Sequence, residues 1–70
     1  MEIDYGQLEM AIQSLTQDGY TITSLAKKID IDSNALWQIF NGETLSNELG
    51  EYITKMIRQE CPNAWKKALC

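Results

Sequence analysis

Residues 21–43 read TITSLAKKIDIDSNALWQIFNGE, and the spacing of the apolar side chains in this stretch decides the fold. Ile22, Leu25, Ala26 and Ile29 fall on one stripe at helical period, with Lys27 and Lys28 facing water. Thr21 is a capping residue, so the spacing predicts a helix over residues 22–29. Asp30 marks the point where the chain must turn, and Ile31 plugs that turn into the core. Asp32 or Ser33 then caps a second helix, about residues 33–41, with Ala35, Leu36, Ile39 and Phe40 inward. Asn41-Gly42 is a stop signal. The connection is too short for anything but two helices meeting at a steep angle, the pattern of a helix-turn-helix spanning residues 21–42. Ala26 has to be small because the second helix of the pair crosses the first beside it. The opposite face, with Ser33, Asn34, Trp37, Gln38 and Asn41, is left free.

The flanks read as helices too. Asp4 is an N-cap, and Gln7 three residues on completes a capping box. Leu8, Ala11, Ile12 and Leu15 follow at helical spacing, which predicts a first helix over residues 5–17, ended by Gly19. Beyond the central motif, Ser46 or Thr44 caps a helix over residues 47–59, with Leu49, Tyr52, Ile53, Met56 and Ile57 as its apolar face. Gly50 either weakens that helix or lets another approach closely. Pro62 suits the first turn of a last short helix, PNAWKKALC, with Trp65, Ala68 and Leu69 on one side. Met10, Tyr52 and Met56 are read as core or interface filler. The expectation is a single all-α domain, residues 1–70, a compact bundle of four to five short helices around a central helix-turn-helix.

Composition narrows the functional classes. A chain of 70 residues buries only about 60% of its unfolded surface, so modest stability or dimerisation is expected. Apolar runs reach two or three residues, too short to cross a membrane, and no secretory signal is visible. Cys61 and Cys70 lack metal-ligand spacing, and there is no histidine, so two reduced thiols in a cytoplasmic protein are expected, with no metal or other cofactor. No nucleophile–base pair or glycine-rich phosphate loop stands out, which argues against an enzyme. The net charge of −4 is local. Residues 1–32 set Glu2, Asp4, Glu9, Asp18, Asp30 and Asp32 against Lys27 and Lys28, whereas acids and bases balance over residues 33–70. A basic face of the kind that grips duplex DNA is not evident in bulk.

The stretch LAKKIDIDSNALWQIFNGETLS resembles the phage repressor and Cro-type helix-turn-helix family, with the lambda-repressor-like fold. The small residue of that family falls on Ala26, its turn hydrophobe on Ile31, and its anchors in the third helix on Leu36 and Ile39. IFNGE, followed by a capped helix, looks like the end of the family's recognition helix. Asp30 departs from the glycine usual in the family's turn, but aspartate tolerates the left-handed conformation better than most residues. Where family members often carry Arg, Lys or Gln, the helix begins Asp32-Ser33-Asn34, and Glu43 closes its far end.

The resemblance implies a small phage- or prophage-type transcriptional regulator that places its third helix in the major groove of operator DNA. Asn34 and Gln38 are then the base readers, because a carboxamide pairs bidentately with adenine. Ser33 reaches a base or a phosphate, and Trp37 packs on a thymine methyl or a sugar edge. Thr23 and Asn41 contact phosphates, and Lys27 and Lys28 add charge from the flank. So few cations point to a homodimer on two half-sites. Trp65 and Leu69 either complete the core or make a dimer contact, as the last helix does in the resembling family. A competing expectation is a protein-binding regulator, an antirepressor or repressor modulator. Its Trp37-bearing surface, ringed by Asp30, Asp32 and Glu43, would face a basic partner.

Overall fold

The computed structural model describes residues 3–69 and contains five helices. They are α1 (Tyr5–Gln17), α2 (Ile22–Ile29), α3 (Ser33–Phe40), α4 (Asn47–Glu60) and α5 (Pro62–Leu69). No strand occurs among the described residues. The side chain of Leu69, and Cys70 with its thiol, lie outside the described residues.

Three of the helices end in the same way. After α1, Tyr20 N donates to Leu15 O and Gly19 N to Thr16 O, with Gly19 at φ 109°. After α3, Glu43 N donates to Gln38 O and Gly42 N to Ile39 O, with Gly42 at φ 86°. After α2, Ile31 N donates to Ala26 O and Asp30 N to Lys27 O, and Asp30 takes φ 59°, ψ 54°. These paired bonds form the Schellman motif, which satisfies carbonyls that a helix end would otherwise leave open. Asp30 therefore does at the end of α2 what glycine does at the other two ends. The motif also swings Ile31 back against the core.

Caps set the starts. Asp4 Oδ1 accepts from Gln7 N at 2.9 Å, but the reciprocal half of the expected capping box is missing, and Gln7 Nε2 is buried without a partner. The full box forms at α2 instead, where Thr21 and Ser24 each accept the other's backbone N–H at 3.0 Å. Asp32 caps α3, accepting from Asn34 N at 3.0 Å. α3 closes at Phe40, one residue earlier than expected, with Asn41 as its C-cap. Ser46 rather than Thr44 caps α4, which runs to Glu60.

Leu8, Ile12, Leu25, Ile29, Leu36, Ile39, Ile53 and Ile57 are fully buried in one cluster shared by the first four helices. α5 lies along α1 and also packs on α4, while α3 packs on α1 and α2. The radius of gyration, 10.5 Å, matches the value of about 11 Å usual for a compact chain of this length. Gly50 is the place where the chain start crosses α4. A Cβ there would sit 2.7 Å from Ile3 Cδ1 and 2.7 Å from Tyr5 Oη, so the close-approach reading of this glycine holds. Tyr5 Oη donates to Leu45 O and accepts from Leu45 N, which ties the start of α1 to the loop before α4.

The apolar face expected for α4 is only partly inward. Leu49 and Met56 are half-buried, and Tyr52 is exposed, because its hydroxyl reaches over to donate to Ile29 O at 2.7 Å. Met10, expected as core or interface filler, is also exposed and so is not part of the core. No helix among the described residues is long and apolar enough to cross a membrane.

Candidate nucleic-acid interface

The site is built on α3, and Leu36 and Ile39 decide which way it faces. Both are buried, as is Ala35, so the helix is clamped against α1 and α2 by one stripe. Asn34, Trp37, Gln38 and Asn41 then share the opposite side at spacings of three and four residues. All four are exposed. Ser33, expected on the same face, is half-buried in the first turn. Ala26 is buried on α2, which packs against α3.

Trp37 is 46% exposed. Its ring meets Phe40 edge to face, centroids 5.6 Å apart and planes at 81°. Phe40 is half-buried against the core. The indole thus rests one edge on a fixed neighbour and keeps much of its surface in solvent. An aromatic held in one place but left wet is a surface suited to contact.

Thr23 lies exposed in the first turn of α2, and Lys27 and Lys28 are exposed in its last turn. α3 itself carries no charged residue. Asp30 and Asp32 are exposed before it, and Glu43 is exposed after it. The Asp32 carboxylate accepts from Asn34 N at the start of α3. The outward side of α3 is therefore uncharged and hydrogen-bonding, with acidic residues before and after it in the chain, while Lys28 on α2 lies within electrostatic reach of Cys61 at the α4–α5 junction.

Trp65 is half-buried against the core, with the Arg58 guanidinium 5.9 Å from its ring centroid. The described residues contain no group of three or more acidic or cysteine side chains arranged to hold a metal ion. Cys61 is buried and unpaired, and desolvation raises its thiol pKa above the ordinary value, so it is a packed apolar group at neutral pH. Sequence reasoning missed the Tyr52–Ile29 bond, which steadies the end of α2 just before the turn into α3. A helical pattern marks Tyr52 as apolar, and only the packing of α2 on α4 reveals a carbonyl within its reach. No protein-family model, curated protein or solved structure matches this chain.

Proposed function

We propose that this chain is a small phage- or prophage-type transcriptional regulator that binds operator DNA through α3. The observation that carries the reading is the outward row of Asn34, Trp37, Gln38 and Asn41 on a helix whose other side is locked by Leu36 and Ile39. A rigid helix with two carboxamides one turn apart is suited to a major groove, where each can pair with adenine N6 and N7. Thr23, Ser33 and Asn41 supply phosphate contacts, and Lys27 and Lys28 supply the charge. With Lys27 and Lys28 on α2 as the only cations before α3, one copy binds weakly, and a homodimer on paired half-sites supplies the remaining affinity. Trp65 and Leu69 on α5 are the candidates for that dimer contact. The reading places the protein in the cytoplasm, with no enzymatic activity and no cofactor.

A gel shift on the DNA upstream of its own gene tests this. A saturable shift is expected, weakened by Asn34→Ala and Gln38→Ala. Its logarithmic salt slope should be shallow, about −2 per copy if Lys27 and Lys28 each neutralise one phosphate.

One observation favours a second reading. Asp30 and Asp32 precede α3 and Glu43 follows it, all exposed like Trp37, and α3 has no cation of its own. Such a collar repels phosphates and suits a basic protein surface, such as the DNA-binding face of a larger repressor. Absence of any DNA shift, together with capture of a purified basic repressor through Trp37, would favour that reading over the first.

A further inference from the structure

Tyr52 joins α4 to the end of α2 through one hydrogen bond, and that bond bears on α3. The phenol donates to Ile29 O at 2.7 Å. The last turn of a helix leaves carbonyls open, and here the following turn closes two of them: Asp30 N donates to Lys27 O and Ile31 N to Ala26 O. Ile29 O is met from another helix instead. Ile29 stands just before the left-handed Asp30, and Ser33 opens α3 soon after. Its side chain is fully buried, so the residue is held twice, by the core through its side chain and by Tyr52 through its carbonyl.

Phenylalanine would pack the same ring. The hydroxyl is needed for the carbonyl alone, and one neutral hydrogen bond that is only partly buried adds little to global stability. Its leverage is geometric. α3 packs on α1 and α2, and α2 in turn packs on α4. α2 is only eight residues long, so a bond at its last residue fixes the point from which the chain turns into α3. α3 also has eight residues and is about 12 Å long. A tilt of about 10° moves its far end by about 2 Å, whereas a side chain in a binding constellation has to be held within about 0.5 Å. We infer that Tyr52 is a positioning residue, whose hydroxyl fixes the lean of α3 and with it the discrimination between bases by Asn34 and Gln38. This rests on the reading of α3 as the helix that enters the groove.

The test compares Tyr52→Phe with the parent and with Thr21→Ala, which weakens α2 at its other end and leaves the Tyr52 bond intact. Each 15N-labelled full chain is followed by amide hydrogen exchange. Each is then titrated with two duplexes, the sequence the parent selects from a randomised pool and the same sequence with its adenines replaced by guanines. Tyr52→Phe should lower the thermal midpoint no more than Thr21→Ala does. It should speed exchange at the Asp30 and Ile31 amides by about tenfold. Amide resonances along α3 should shift while those of α5 stay in place. The preference for the selected duplex should fall by about tenfold, and Thr21→Ala should keep it. Unmoved α3 resonances would overturn the inference without any DNA. So would a preserved preference, an equal loss of preference in Thr21→Ala, or an equal weakening on both duplexes, which would make the phenol a phosphate contact. A parent that selects no sequence would contradict base reading by α3 itself and take this inference with it.

Discussion

Trp37 is the side chain on which the reading of the surface turns. Among the described residues its ring partner is Phe40, so Trp37→Ala forfeits an edge-to-face contact of about 1 kcal/mol and little core. The variant should unfold in urea within about 1 kcal/mol of the parent while losing binding to its target by tenfold or more. A collapse of the fold would instead make Trp37 a core residue. Asp30 is strained in a way the other two helix ends are not, since it holds φ 59° with a side chain. Asp30→Ala should cost about 1 kcal/mol, and Asp30→Gly should be neutral or stabilising, read from urea midpoints. Cys61 gives a pH signature. Desolvation by burial raises its folded pKa, with Lys28 pulling down and Glu60 pushing up as smaller effects. The folded state then holds the proton longer than the unfolded chain does. Stability should be flat, as far as this group goes, below the unfolded thiol pKa of about 8.5, and fall as pH rises from there toward the folded value. Comparing the alkaline limb of the parent with that of Cys61→Ala checks it, because the variant should lose that slope.

At the scale of elements, caps and crossings decide where helices begin and how they meet, and they were unequally legible. The starts at Asp4, Thr21 and Asp32 and the stops at Gly19 and Gly42 could be read from the chain, because each residue type performs a local task in its own turn. The apolar stripes of α2 and α3 were legible for the same reason, and with them the outward row from Asn34 to Asn41. What could not be read depends on contacts between distant segments. The half-formed capping box at Gln7, the outward turn of Tyr52 onto Ile29 O, and which segment, Ile3 and Tyr5, approaches Gly50 all belong to this class. Gly50 shows how the two levels compete. Alanine there gains about 1 kcal/mol of helix propensity. Its methyl, however, would press Ile3 Cδ1 and the Tyr5 hydroxyl at 2.7 Å. Overpacking typically costs about 1–3 kcal/mol, so Gly50→Ala should lower the thermal midpoint despite the better helix former. A raised midpoint would mean that the start of α1 is free to move aside. Thr21→Ala removes the capping box of α2 and should cost about 1 kcal/mol on the same assay.

For the whole molecule the governing fact is a division of labour. One buried cluster fixes the five helices, and α3 contributes Leu36 and Ile39 to it while holding its carboxamides and indole in water. Net charge works against this surface as a generic DNA binder. The chain is −4 overall, and the acidic ends of α3 face whatever approaches it. On the proposed reading, affinity for duplex DNA would come mainly from base contacts and from pairing of two copies, not from counterion release. The most direct test is selection of binding sites from a pool of randomised duplex DNA by the purified chain. Enrichment of one sequence is expected, with adenines at the positions facing Asn34 and Gln38, in two related half-sites, and with loss of that preference when both residues are alanine. A pool that stays random, or an enriched sequence indifferent to the double substitution, would contradict it.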